Sequence, residues 1–171
     1  MHTDKKIKRI RMKHKLIVIS GTPGTGKTTL ALWLSKKLKI PRLDLHDYYK
    51  QISTGYDRSG KCYDIDIKKF EKLVMEKLKE SSLIVDTHIA HLLPKKLVNL
   101  CIITTCSNLK KLESRLKERK YSKKKNRENL DSEIFQICLN EAKERKHKII
   151  EVDTAKRSSK DELLDKVMKV L

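Results

Sequence analysis

The chain has 171 residues, of which 38% are hydrophobic, so it is long enough for one domain with a sizeable core. Lysine and arginine number 41 against 22 aspartates and glutamates, which gives a formal net charge of +19. This excess favours a polyanionic partner, with nucleic acid first among the candidates. An equally good reading is the lysine-rich surface that many heat-stable proteins carry. No apolar run has the length of a membrane span and no signal peptide is recognisable, so we expect a cytoplasmic protein that does not contact membranes.

The four cysteines form no C-x-x-C pair. They are Cys62, Cys101, Cys106 and Cys138. Two of them adjoin an apolar stretch, so we expect buried thiols in a reducing compartment, and neither a disulfide framework nor a zinc site.

Residues 1–13 are rich in lysine and arginine and poor in apolar side chains. This composition predicts a disordered basic arm that is suited to touching RNA. The alternative is that Met12 is the natural start and the residues before it are an upstream extension. Residues 14–171 are expected to form a single domain, because no internal repeat and no second domain is recognisable.

Residues 21–29 contain the phosphate-binding loop pattern G-x-x-x-x-G-K-[ST] in full. An apolar run of buried-strand type, residues 16–20, precedes it, and a helical pattern, residues 30–38, follows it. Strand, glycine turn and helix is the context in which backbone amides and a helix N-terminus cradle a phosphate. A chance glycine-rich turn is therefore a poor alternative.

This loop predicts a site for ATP and Mg²⁺. Lys27 would reach the β- and γ-phosphates, and the Thr28 hydroxyl would bind Mg²⁺. The residues expected to contact the nucleotide are Gly21, Gly24, Thr25, Gly26, Lys27, Thr28 and Thr29.

The next elements alternate between strand and helix patterns. We predict a strand over residues 39–45, a short helix over 46–50, a loop over 53–62, and a helix capped by Asp66 that ends near residue 80. A third strand, residues 82–86, ends at Asp86. A carboxylate there would orient Mg²⁺ and its waters, whereas the plain alternative is a residue in a turn after the strand.

His88 follows Asp86 by two residues, on the same side of the predicted sheet. It is placed to position a water molecule or the transferred phosphate. A metal site made by His88 and His91 is disfavoured because no third ligand of suitable type is nearby, and His91 reads as a polar loop residue.

The second half continues the alternation. We predict a strand over 97–104, a helix over 109–116 capped by Ser107 or Asn108, a long helix over about 126–146, a strand over 148–153 and a final amphipathic helix to residue 171. Five strands alternating with helices predict an α/β, doubly wound domain with a mostly parallel sheet and helices on both faces. The ligand is expected beyond the carboxyl ends of the strands.

Several motifs in this order resemble the adenylate kinase isoenzyme 6 family. They are the phosphate loop, Gly55-Tyr56-Asp57, Asp86-x-His88, Arg115-x-x-x-Arg119, Tyr121-x-x-Lys124-Lys125 and the segment 128–134. The resemblance spans about residues 14–155. It implies a P-loop NTPase fold of the nucleoside monophosphate kinase type, with a monophosphate-binding region at about 44–67 and a short lid at about 118–128.

The resemblance also implies an activity. The family phosphorylates nucleoside monophosphates with a broad range, AMP being favoured, and also hydrolyses ATP. Lys27, Asp86, His88 and Arg119 would be the catalytic residues, Arg119 would contact ATP, and Thr28 and Asp86 would hold Mg²⁺. For Arg119, the plain alternative is a surface helix arginine paired with a glutamate.

The same resemblance implies a role in late maturation of the small ribosomal subunit. It implies binding of a small-subunit ribosomal protein of the S-eleven type and promotion of precursor 16S rRNA cleavage. The +19 charge is consistent with ribosomal RNA contact through a basic surface.

Two departures from the family pattern leave alternatives open. Lys120 stands where the family often has glycine, and the first helix of the monophosphate region lacks a phosphate-clamping arginine. Arg42, Lys50 and Arg58 are the candidates for that clamp. The protein could thus be chiefly a ribosome-assembly ATPase switch, or a kinase of another small metabolite such as shikimate or a nucleoside.

Overall fold

The computed structural model describes residues 13–171; the predicted basic arm and Met12 therefore lie outside it, apart from Lys13. The strands are β1 (Leu16–Ser20), β2 (Arg42–Leu43), β3 (Ser53–Asp57), β4 (Cys62–Ile65), β5 (Leu83–Asp86), β6 (Leu100–Thr105) and β7 (Ile149–Asp153). A five-stranded parallel sheet has the order β2-β5-β1-β6-β7, and β3 and β4 form a separate antiparallel hairpin.

Seven α-helices connect and cover these strands within the described residues. They are α1 (Lys27–Leu38), α2 (Tyr49–Ile52), α3 (Ile67–Leu78), α4 (Leu109–Glu118), α5 (Lys123–Ile134), α6 (Ile137–Glu144) and α7 (Lys160–Val170). Two short 3₁₀ helices, Leu45–Tyr48 and Ala90–Leu92, follow β2 and β5. Asp66 caps α3 and Asn108 caps α4, as their positions in the sequence predict. No helix of the described chain is long and apolar enough to cross a membrane.

The central strand β1 is buried on both faces, which explains its unbroken apolar sequence. Leu16 and Val18 contribute to a core with α3 and α6, whereas Ile17 and Ile19 contribute to a core with α1 and α7. This alternation follows the two-residue period of a strand. Because all neighbouring strands of this sheet run parallel, their carboxyl ends meet at one edge, which places the ends of β1, β2 and β5 together.

The prediction of a loop over residues 53–62 is wrong, because the segment begins the β3–β4 hairpin. Tyr56 lies opposite Tyr63, and their rings contact edge to face with centroids 4.9 Å apart. Asp57 closes the turn by accepting hydrogen bonds from the backbone N–H and hydroxyl of Ser59, at 2.9 and 2.7 Å. The turn-forming residues in the sequence conceal the strand residues that flank them.

The single long helix predicted over about 126–146 is also wrong. The chain leaves α5 at Phe135 and starts α6 at Ile137, because Gln136 adopts the left-handed conformation with φ of 51°. The side-chain amide of Asn140 donates to the Phe135 carbonyl oxygen at 3.0 Å, which satisfies one end of the break. The change of direction lets Cys138 and Leu139 enter the core.

Candidate active site

The phosphate-binding loop connects β1 to α1 at the carboxyl edge of the sheet. Gly21 passes so close to Thr104 that a Cβ atom there would overlap the Thr104 backbone and hydroxyl oxygens. Gly24 has a φ of +89° and lies against Leu112 and Leu116 of α4. Glycine is thus required at Gly21 by contact and favoured at Gly24 by conformation.

Thr25 holds the loop in shape from inside the protein. Its hydroxyl is buried, donates to the Thr22 carbonyl oxygen at 2.7 Å and pairs with the Thr104 hydroxyl at 2.7 Å. Gly26 is the N-cap of α1, and Thr29 is exposed on its first turn. Of the predicted nucleotide contacts, the structure places the side chains of Lys27 and Thr28 in the cleft and that of Thr25 beneath the loop.

Lys27 is the cation of the loop. Its Nζ donates to the carbonyl oxygens of Gly21 and Thr22 at 2.9 and 3.0 Å. Burial lowers the pKa of Lys27 to about 8, and the positive charge of Arg119 acts in the same direction. An anionic phosphate in the cradle would offset both effects and favour the charged ammonium.

Thr28 and Asp86 form an oxygen-rich pair at the mouth of the cleft. The Thr28 hydroxyl donates to Asp86 Oδ2 at 2.9 Å, and Asp86 lies at the end of β5, paired in register with Ile19 of β1. The Asp86 side chain is only 2% exposed. Hydroxyl and carboxylate oxygens are ligands that Mg²⁺ accepts, so this donor set fits the ion.

Arg42 covers the same carboxylate from the other side. Its Nε contacts Asp86 Oδ1 at 2.5 Å and its Nη2 contacts Oδ2 at 3.2 Å, while Nη1 reaches Asp44 Oδ2 at 3.2 Å. The hydrogen bonds to Asp86 raise the pKa of Arg42 above its ordinary value. Of the three clamp candidates, Arg42 lines the cleft, whereas Lys50 and Arg58 do not. No local sequence pattern indicates that Arg42 pairs with Asp86.

His88 extends from the end of β5 into the cleft. His88 is exposed to solvent at the cleft, although neighbouring protein atoms partly desolvate its ring. This desolvation lowers the pKa of His88 to about 4, and the positive charge of Lys27 adds to the effect. The imidazole is therefore neutral at pH 7 and can donate or accept a hydrogen bond without carrying charge.

The two arginines of the R-x-x-x-R motif have different surroundings, although four-residue spacing predicts a shared helix face. Arg119 ends α4 and lines the cleft. Arg115 lies beneath the phosphate loop, where its Nη1 donates to the Gly24 carbonyl oxygen at 3.1 Å and to the Thr154 hydroxyl at 3.3 Å. Arg115 thus ties the loop to the segment after β7, and it is a site residue that the sequence prediction did not include.

The cleft has a volume of about 780 Å³ and continues past Asp86 toward the hairpin. Its far side carries a row of aromatic rings formed by His46, Tyr49, Tyr63 and Tyr56, whose successive centroids are 5.0, 5.4 and 4.9 Å apart. Lys125 of α5 closes over this side by donating to the Gly60 carbonyl oxygen. The cleft therefore has a phosphate-cradling side and an aromatic side, with Asp86 and His88 between them.

Comparison with known proteins shows which protein family this chain belongs to. Residues 17–136 match the protein family described as "AAA domain". The "Adenylate kinase isoenzyme 6 homolog" of Schizosaccharomyces pombe is 38% identical over 130 residues, which cover 75% of this chain and 74% of that protein. The chain belongs to the adenylate kinase isoenzyme 6 family. Another relative, named "Putative adenylate kinase" in Pyrococcus abyssi, is 33% identical over 153 residues, covering 90% and 82% of the two chains.

Solved structures support the fold of this isoenzyme 6 family member. The YorR protein of Bacillus subtilis, in complex with phosphorylated GDP, superposes with a TM-score of 0.59 at 17% identity, covering 91% of this chain and 95% of YorR. Shikimate kinase from Acinetobacter baumannii gives 0.58 at 15% identity, covering 93% of each chain. The predicted α/β P-loop fold is confirmed, and the family and the fold make this chain a nucleotide-binding protein of kinase type.

Proposed function

We propose that this protein is a broad-specificity nucleoside monophosphate kinase that catalyses ATP + AMP = 2 ADP and also hydrolyses ATP. One observation carries the proposal: a single cleft joins the phosphate loop to an aromatic side and is also lined by Asp86, His88 and Arg119. A hydrolase of ATP alone has no need for the second side. Shikimate as acceptor does not explain the row of four rings, because it has no aromatic base to stack on them.

The reaction breaks the bond between the γ-phosphorus of ATP and its bridging oxygen, and forms a bond from that phosphorus to an oxygen of the acceptor phosphate. The protein contributes position and charge, because phosphoryl transfer needs no covalent protein intermediate. Lys27 and the N-terminus of α1 hold the ATP phosphates, and Arg119 brings positive charge from the lid. Thr28 and Asp86 would hold Mg²⁺, which supplies further neutralisation when bound.

His88 serves this chemistry as a neutral group. Before nucleotide binds, the pKa of His88 is lowered to about 4, so the ring is a neutral imidazole at pH 7 when it first meets the phosphates. In the kinase reaction it orients the acceptor phosphate by hydrogen bonding, and in hydrolysis it orients the attacking water. One residue thereby serves both reactions.

The test compares ADP formation from ATP with and without AMP. AMP is expected to raise ADP formation well above the hydrolysis rate, and His88→Ala is expected to lower both rates. His14→Ala is the matched control, because His14 precedes β1 at the opposite edge of the sheet, where its Nδ1 donates to the Leu78 carbonyl oxygen. If ADP forms from ATP and AMP no faster than by hydrolysis, the kinase proposal fails.

We further propose that this kinase acts in the cytoplasm in late maturation of the small ribosomal subunit. Its partner would be a small-subunit ribosomal protein of the S-eleven type, and it would promote precursor 16S rRNA cleavage. The family membership and the net charge of +19 support this role, because a basic surface binds ribosomal RNA through its phosphates. Purified partner protein should bind in at least one nucleotide state, and failure in both the ATP-bound and ADP-bound states would contradict the role.

A further inference from the structure

The contact between Arg42 and Asp86 has no role in the mechanism proposed above. Asp86 Oδ1 accepts from Arg42 Nε at 2.5 Å, and Oδ2 accepts from Arg42 Nη2 at 3.2 Å and from Thr28 Oγ1 at 2.9 Å. A carboxylate offers about four lone-pair sites for hydrogen bonds. Three are in use, so about one remains for any other donor or cation.

A divalent cation at Thr28 and Asp86 competes with this guanidinium. Arginine does not lose its proton in proteins, so Arg42 is a permanent cation at the carboxylate that orients the metal and its waters. The Arg42 and Asp86 side chains are 14% and 2% exposed, so salt screens the charges only weakly. The metal is therefore expected to bind more tightly once Arg42 has a different anion to hold.

The acceptor phosphate is the anion that the cleft would bring to Arg42. Arg42 follows the edge of the sheet toward the aromatic side, where Nη1 already reaches beyond Asp86 to Asp44. A phosphate is, with carboxylate, the anion that a guanidinium holds through two parallel hydrogen bonds. We propose that Arg42 is a positioning residue that exchanges Asp86 for the acceptor phosphate, so that acceptor and divalent cation bind with positive coupling.

This coupling, which rests on the proposed kinase function, serves a purpose in the reaction. Without an acceptor, Arg42 holds Asp86 and weakens the metal site, so ATP is hydrolysed slowly. With an acceptor, Asp86 is released to orient the metal at the moment when transfer is possible. Linkage requires the effect to be reciprocal, so the divalent cation must also strengthen acceptor binding by the same factor.

The test measures Mn²⁺ binding directly, through the electron paramagnetic resonance signal of the free ion, in the presence of a non-hydrolysable ATP analogue. For the unmodified protein, AMP is expected to lower the Mn²⁺ dissociation constant about fivefold or more. Arg42→Gln is expected to bind Mn²⁺ more tightly without AMP and to lose the dependence on AMP. Arg58→Gln is the matched control, since it removes the same charge from an exposed position outside the cleft and should keep the dependence.

Arg42→Lys keeps the charge but cannot bind both carboxylate oxygens at once, so its Mn²⁺ affinity should depend on AMP to an intermediate degree. This variant replaces Arg42→Gln in the test if Arg42→Gln does not fold. The proposal is overturned if Arg42→Gln retains the normal dependence on AMP, or if it binds Mn²⁺ more weakly than the unmodified protein. Calorimetric measurement of AMP binding distinguishes a failure of the coupling from a failure of the kinase proposal. AMP binding without any change in Mn²⁺ affinity overturns the coupling alone, whereas no AMP binding overturns both.

Discussion

The two sides of the cleft are supported by different parts of the fold. The phosphate side stands on β1 and β5, whose residues are all buried, and its loop is fixed by the hydroxyls of Thr25 and Thr104. Half of the aromatic side, Tyr56 and Tyr63, lies on the β3–β4 hairpin, which is a separate two-stranded sheet with mostly exposed residues in β3. Two strands alone are marginally stable, so this side depends on its ring contacts and neighbours. We therefore expect the phosphate side to be the more rigid one and the aromatic side to adjust more readily to different acceptors.

This difference predicts that damage to the phosphate side stops every reaction. Lys27→Ala removes the ammonium that the loop holds, and it is expected to lower both kinase and hydrolysis rates about 10²- to 10³-fold. Lys36→Ala, on the exposed part of the same helix, is the matched control and should leave both rates unchanged. Steady-state rates of ADP formation with and without AMP measure this. Loss of the kinase rate alone would show that Lys27 does not serve the two reactions equally.

Arg119 lines the cleft near Lys27, and its removal should affect the rate more than ATP binding. Arg119→Ala is expected to lower kcat about 10²-fold while the ATP dissociation constant changes less, if its contact strengthens as charge develops on the transferred group. Arg145→Ala is the control, because Arg145 is an exposed residue at the end of α6 that does not line the cleft. An ATP dissociation constant that weakens as much as kcat falls would make Arg119 a simple binding residue.

The aromatic side should fail separately. Tyr63→Leu removes the ring that contacts both Tyr49 and Tyr56, and it is expected to raise the KM for AMP about tenfold through lost stacking. Hydrolysis of ATP without AMP is the internal control and should persist, because the phosphate side does not depend on the hairpin. Equal loss of both activities would contradict the independence of the two sides.

The sequence predicted the rigid side much better than the adaptable side. Continuous apolar runs identify buried parallel strands, and the phosphate-loop pattern is local, so residues 16–29 could be assigned correctly. The sequence does not predict the hairpin, because Gly55 and the residues from Ser59 to Lys61 favour a turn. That signal is stronger than the strand preference of Tyr56 and Tyr63. The break at Gln136 was missed because no glycine or proline marks it. Arg42 and Asp86 meet across 44 residues, and no local pattern encodes such a contact.

The smallest predicted effect concerns His88, which sits where the two sides meet. Its pKa is 6.5 without perturbation and about 4 in the folded protein, so between these values the unfolded chain binds more protons than the folded one. Stability should therefore fall as pH falls from about 6.5 to about 4, and the residue contributes nothing above 6.5. His88→Gln removes this contribution, so the fall in Tm between pH 7 and pH 5 should be smaller for the variant. The difference should be about 2–4 °C for each kcal/mol that His88 contributes to the free energy of unfolding.

Comparing both proteins at pH 8, where the histidine is neutral in either state, isolates the effect of packing. An identical fall in Tm for both proteins would mean that solvent in the cleft reaches His88 freely, and the neutral role proposed for it in transfer and hydrolysis would lose its physical basis.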